Sequence, residues 1–273
     1  MNKVPQRIVF VLLVIAAVTT QALAQKDGKD SFACREWQGG KGANHCEIKE
    51  QTLPAAGGLI KVDGRQNGGI SVKGWDKNEI LVRARVQTRA PSQAEAVALA
   101  NQIVINTGGA DISASGPENR RDYSWSVSYE VFVPRRSDLS LQSHNGGIAI
   151  SEVHGRLSFQ ALNGGVVLGG VGGSVQGSTT NGGLVVQLSG DRWDGEGLDV
   201  KTTNGGIVMS VPANYSARLE TGTVNGSLQI GFPVTVQGNI SRELAVNLGS
   251  GGPTVRVRTT NGGVRINRYE SAF

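Results

Sequence analysis

Asn145-Gly146-Gly147-Ile148-Ala149-Ile150 is the stretch whose reading decides the fold, because its first three residues keep returning. Asn-Gly-Gly also begins at Asn67, Asn163, Asn181, Asn204 and Asn261, and Asn225-Gly226-Ser227 is a near copy. From Asn145 onward the intervals are 18, 18, 23, 21 and 36 residues, the last being twice 18. A fixed period of about 20 residues marks stacked supersecondary units.

Aligned on the Asn, the repeats share apolar columns. Three residues after it stand Ile148, Val166, Leu184, Ile207, Leu228 and Val264, and two further on Ile150, Leu168, Val186, Met209, Ile230 and Ile266. Six residues before it come Leu139, Leu157, Val175, Leu198, Leu219 and Val255. Spacing by two within a strand sends those side chains to one face. Asn-Gly between alternating runs supplies the positive φ angles of a tight turn, and a meander or sandwich of hairpins is therefore one reading. Hairpins would make neighbouring repeats mirror one another, whereas here every copy keeps the same column order. The sequence thus predicts an all-β fold, a single-stranded parallel β-helix or β-solenoid with Asn-Gly-Gly turns and rungs about 4.8 Å apart. The side chains of Asn145, Asn163, Asn181, Asn204, Asn225 and Asn261 would then stack as a ladder of amide hydrogen bonds.

Of the 273 residues 39 are Gly and only 5% are aromatic, which suits turn-dense β structure with a thin aliphatic core. Residues 1–24 read as a secretory signal peptide: Lys3 and Arg7, an apolar run from Ile8 to Val18, then Ala22-Leu23-Ala24. The run is shorter than the ~18 residues of a membrane span, so an integral membrane protein is not expected after cleavage. Without Lys3 and Arg7 the chain holds 25 basic and 22 acidic residues, +3, too balanced for a nucleic-acid partner. Residues 25–47 hold Cys34 and Cys46, the two cysteines of the chain. Export favours a disulfide between them, worth about 3 kcal/mol by loop entropy. A zinc site at Cys34, His45 and Cys46 is the alternative and lacks a clear fourth ligand.

Residues 48–134 form a less regular β-rich part. Within it Ser92-Gln93-Ala94-Glu95 is a capping box opening a short helix to about Asn101. Ile80–Val86 alternates apolar residues with Arg83 and Arg85, so one side should be solvated. Residues 135–268 are the repeats and 269–273 a tail. The 23-residue interval holds Asp191-Arg192-Trp193-Asp194-Gly195-Glu196, expected to bulge out as a loop, and the double interval should hide a rung with a degenerate turn.

These features in this order resemble the bacterial putative adhesin family, exported envelope domains of unknown function. The likeness rests on Gly74-Trp75-Asp76 after an early Asn-Gly-Gly-Ile, the Ala-rich helix, the strand ending Val131-Phe132-Val133-Pro134, and the Thr-x-Asn-Gly-Gly-Ile train. It spans residues 48–268, and the Cys pair is similar to that of close members. The resemblance implies a β-helix-like fold in the periplasm or at the cell surface, and it brings no catalytic residues with it.

An enzyme acting on polysaccharides would need convergent carboxylates or a base beside a cation. Asp191, Asp194 and Glu196 share one Gly-containing loop, where carboxylates usually serve as solvated turn residues. His144 and His154 have no evident nucleophile nearby. We expect no catalytic, metal or cofactor site. The column before the Asn reads His144, Leu162, Thr180, Thr203, Val224 and Thr260, too irregular for an ice-binding face. The reading that remains is a non-enzymatic envelope module presenting a β-surface to a protein or glycan, or to its own copy in a homo-oligomer. A regulatory component of an envelope-stress system is the alternative. Two surfaces are candidates. In the column four residues after each Asn, Ala149, Val167, Val185 and Val208 form an apolar stripe on an outward position, unless the helix over Ala94–Asn101 covers it. Arg256, Arg258, Arg265 and Arg268 form a basic patch on the last repeat, read either as protection of an exposed sheet end or as an anion site.

Overall fold

The structure, a computed structural model, describes residues 32–34, 42–234 and 242–270. The signal peptide expected over 1–24 lies outside them, as do much of 25–47 and most of the 269–273 tail.

Twenty strands and one α-helix are found among the described residues. The first part holds β1 (Ala43–Pro54), β2 (Leu59–Asp63), β3 (Ile70–Trp75), β4 (Glu79–Ala90), helix α1 (Gln93–Asn101), β5 (Val104–Asn106), β6 (Asp111–Ser115) and β7 (Ser124–Pro134). The repeats contribute β8 (Asp138–Ser143), β9 (Ile148–Ser151), β10 (His154–Ala161), β11 (Val166–Gly169), β12 (Gly172–Asn181), β13 (Leu184–Gln187), β14 (Gly197–Asn204) and β15 (Ile207–Pro212). The chain continues with β16 (Ala217–Asn225), β17 (Leu228–Ile230), β18 (Glu243–Leu248), β19 (Thr254–Asn261) and β20 (Val264–Tyr269).

The architecture is all-β, with two large mixed sheets. Sheet A runs β1-β4-β7-β3-β9-β11-β13-β15-β20-β17, and sheet B runs β18-β16-β19-β14-β12-β10-β8-β2-β6-β5. Each repeat gives its strand before the Asn to sheet B and its strand after the Gly pair to sheet A. Between repeats the pairing is parallel: Val166 lies between Ile148 and Leu184, all three buried. The antiparallel pairs are β1–β4, β4–β7, β5–β6 and β16–β18. All three apolar columns turn inward, and one aliphatic core runs through both sheets. Residues 48–134 share those sheets and that core with the repeats, β2 pairing with β8 and β3 with β9.

At the turns, the Asn amides hydrogen-bond in sequence. Nδ2 of Asn145 donates to Asn67 Oδ1 at 3.1 Å. Asn163, Asn181, Asn204, Asn261 and Asn225 follow, each donating to the preceding one at 2.8 Å. The glycines are there for a reason other than the one expected from Asn-Gly. Gly146, Gly164, Gly182 and Gly205 are not in the left-handed region. Instead, a Cβ on any of them would fall under 3.0 Å from the carbonyl oxygen of the corresponding glycine in the neighbouring repeat. Close stacking, and not turn curvature, excludes a side chain. The second glycine is looser, and Ser227 occupies that place in the near copy. Two residues before the Asn, the hydroxyls of Thr179, Thr202, Thr259 and Thr223 donate to the first-glycine carbonyls of Gly164, Gly182, Gly205 and Gly262 at 2.7–2.8 Å. These buried hydroxyls are therefore satisfied, as burial demands.

The double interval differs from the sequence expectation. Among its described residues, which leave out 235–241, it contains β18, an antiparallel return strand on β16, and no rung with a degenerate turn. The last repeat, β19–β20, is also not at the end. In sheet B β19 sits between β14 and β16, and in sheet A β20 sits between β15 and β17. Charge accounts for this order. Arg256 lies in register with Asp199 on one side and Glu220 on the other, bonded to them at 2.9 and 2.8 Å. Stacking β16 directly on β14 would put Glu220 beside Asp199, and like charges facing each other destabilise a sheet. Lys201 beside Arg258 works the other way, but Arg258 leans to Glu220 at 3.8 Å.

Arg256, followed by Arg218, holds the Glu220 carboxyl below its ordinary value of 4.5. A depressed carboxyl contributes stability above its unfolded value and loses it as pH falls through the folded one. Comparing urea midpoints of wild type and Glu220→Gln from pH 7 to 3 should show the wild type ahead at neutral pH. The gap should close only below pH 4.5.

At the other end α1 packs on β1 and β4. Its capping box forms as read, Ser92 Oγ accepting from the Glu95 amide. Lys49 Nζ donates to the carbonyls of Ala100 and Ile103, where a cation suits the helix C-terminus. Arg83 and Arg85 are less solvated than the alternation implied, since the buried Phe32 ring lies 5.5 and 4.9 Å from their guanidinium carbons. Beside it Cys34 and Cys46 are joined in a disulfide. Mass spectrometry of the unreduced protein should find it two hydrogens lighter than the reduced form, and two free thiols would reject the bridge.

Candidate functional site: an outer sheet face and an edge cleft

The outward column of sheet A reads Ser71, Ala149, Val167, Val185, Val208, Arg265 and Gln229 in continuous register. Val167, Val185 and Val208 are 48%, 41% and 41% exposed. At the usual strand spacing the four apolar members cover about 14 Å of sheet. The next outward column, Ser151, Gly169, Gln187, Ser210 and Asn267, is small and polar, so the face is flat. Helix α1 lies against β1 and β4 and leaves the stripe open. β-propensity alone does not explain the valines. The matching outward positions of sheet B carry Ser158, Gln176, Asp199 and Arg256, strands of the same repeats with polar residues.

The four arginines do not form one patch. Arg256 and Arg258 belong to sheet B and are tied to Glu220. Arg265 and Arg268 belong to sheet A, where Arg265 Nε donates to Gln229 Oε1 at 3.1 Å and Arg268 lies 4.4 Å from the Phe232 ring centroid. Both strands are paired on either side, so protection of an exposed sheet end does not apply to them either.

The 191–196 insertion bulges as expected but returns inward at one residue. Trp193 is 3% exposed and its indole N–H donates to Gly173 O at 3.0 Å. Next to it Asp194 Oδ2 stands 3.2 Å from Nδ1 of His154. Ser137 is close by, but its hydroxyl donates to Pro134 O at 2.8 Å and not to His154, so the pair does not activate it. Of the loop carboxylates, Asp191 pairs with Arg192 and Asp194 with His154. Among the described residues no group of three or more His, Cys, Asp or Glu is placed to hold a metal.

His154 and Asp194 lie on the rim of a cleft of about 970 Å³ at the sheet edge away from the Asn ladder. Leu53, Ala55, Ile60, Ile80 and Pro134 give it an apolar wall. No pattern in the sequence pointed to it, because its walls come from segments scattered between residues 53 and 195. A smaller hollow of about 550 Å³ is lined in part by Tyr129. Burial pushes the ionisation of that phenol well up, and its hydroxyl has no hydrogen-bond partner among the described residues.

No family model and no curated protein matches this chain. Solved structures do. A putative cell adhesion protein from Clostridium sporogenes is 11% identical with a TM-score of 0.47, over 83% of this chain and 100% of its own. A putative adhesin from Bacteroides fragilis is 11% identical with a TM-score of 0.40, over 85% and 100%. A putative lipid binding protein from Parabacteroides distasonis is 10% identical with a TM-score of 0.32, over 84% and 99%. Similarity this low assigns no ligand. No helix among the described residues is long and apolar enough to cross a membrane.

Proposed function

We propose that this chain is a non-enzymatic, exported binding module of the cell envelope, its repeats winding as a flattened β-solenoid that presents the outer face of sheet A to a protein partner. The observation that carries this reading is the in-register row of exposed valines on a face that the described residues leave uncovered. A contiguous apolar row on one face only is the mark of an interaction surface, whereas singly scattered apolar residues are not. A hydroxyl-rich glycan fits the row less well, since burying hydroxyls against valine leaves them unsatisfied. Export is supported by the leader pattern and by the Cys34–Cys46 disulfide, which persists in oxidising compartments. The stacked glycines and the Asn ladder support the solenoid winding, with residues 48–134 as its first, irregular part and 135–268 as its repeats.

Changing Val167, Val185 and Val208 together to Thr keeps the β-branching and removes the apolar character. The variant should unfold at the wild-type urea concentration within about 1 kcal/mol, as surface changes do. It should lose the envelope proteins that wild type retains on a column. Retention of the same proteins at the same oligomeric size would remove the stripe as the contact surface. A regulatory role in envelope stress would use the same face and differ only in the partner's identity.

A further inference from the structure

The edge cleft has the chemistry of a small-molecule site distinct from the flat face. Its volume of about 970 Å³ lies within the range of ligand pockets, which are mostly apolar with a few convergent polar groups. The wall is aliphatic, built from Leu53, Ala55, Ile60, Ile80 and Pro134. Four ionisable residues line it: Arg136, Asp138, His154 and Asp194. Three of these are engaged. Asp138 accepts from Arg156 Nε at 2.9 Å, and Arg156 holds its carboxyl below the ordinary range. His154 and Asp194 face each other at 3.2 Å.

Arg136 is the exception. It is exposed, it lines the cleft, and among the described residues its guanidinium makes no ion pair or hydrogen bond. An apolar trough with one uncommitted cation at its rim matches a ligand with an apolar body and a single anionic head. We propose that this cleft binds a single-chain amphiphile with an anionic head, of the fatty-acid carboxylate class, its chain along Leu53, Ile60 and Ile80 and its carboxylate on Arg136. Arginine suits the head because its planar fork pairs two-point with a carboxylate.

The test is calorimetric titration of the mature protein with octanoate, decanoate and dodecanoate, each kept below micelle formation, and with dodecanol. The carboxylates should bind one per chain, about fourfold tighter for each methylene added. Arg136→Gln, at an exposed position, should weaken dodecanoate about tenfold or more and leave dodecanol unchanged. Ala56→Trp, an exposed lining residue enlarged to fill the trough, should abolish both. The Val167, Val185 and Val208 triple variant should bind dodecanoate as wild type does, so this site and the protein-binding face succeed or fail separately. Absence of saturable binding overturns the proposal. So does binding that Arg136→Gln and Ala56→Trp leave intact, which would place the amphiphile elsewhere.

Discussion

Gly182→Ala is expected to destabilise the protein by more than about 3 kcal/mol, beyond the usual range for overpacking. The added methyl would lie under 3.0 Å from Gly164 O, and Gly205 stacks in the same way on Gly182 from the other side. The backbone therefore has no free direction in which to yield. The hydroxyl of Thr202, which donates to Gly182 O at 2.8 Å, would lose its geometry as well. Gly183→Ala is the control. Its methyl would meet Gly206 O at an ordinary 3.5 Å, and the change should stay within about 1 kcal/mol. Urea unfolding followed by circular dichroism separates the two, and equal effects would reject close stacking as the reason for the first glycine.

Trp193→Ala should cost about 3–5 kcal/mol, as loss of a large buried aromatic does. That is an unusual weight for a residue in an insertion flanked by charges. Trp193→Phe keeps most of the volume but leaves Gly173 O without its indole donor. The expected loss is about 1 kcal/mol. Exposed neighbours such as Arg192 should tolerate Ala with almost no effect. A Trp193→Ala variant as stable as the Arg192 one would show that the insertion is a solvated loop after all.

Much of the fold was legible because a period of two states which side chains turn inward, and every repeat states it again. Leu184, Val186 and Leu198 could be placed in the core from spacing alone. The order of the strands could not. Identical columns give any repeat the same register with any other, so the code names a face and a register but not a neighbour. The outward charges Asp199, Glu220 and Arg256 favour the order found, and their meaning emerges when the strands are side by side. The glycine rule was misread for a related reason: Asn-Gly has a familiar local use, and the clash that excludes Cβ comes from another repeat. For the candidate sites, the valine stripe was readable as a column. The cleft was not, since Arg136, Leu53 and Ile80 belong to no common pattern. Trp193 was hidden by the charged residues on either side of it.

The place of β19 and β20 also sets the order in which the chain can be completed. During synthesis β16 and β17 emerge before the strands they must pair with, and Asn225 waits 36 residues for its neighbour Asn261. Until then the open edges of β14 and β16 face each other across a missing strand, each offering unpaired amides and carbonyls. Such edges template association with other chains, and pairing over long sequence separation is slow. The last repeat therefore acts as a wedge that closes the molecule. A chain cut short at Pro253 would lose more than its final repeat, because β16 would keep only β18 beside it and β17 would lose its partner β20. Aggregation of nascent or truncated chains should consequently centre on these two edges, and supplying residues 254–269 as a separate peptide should suppress it.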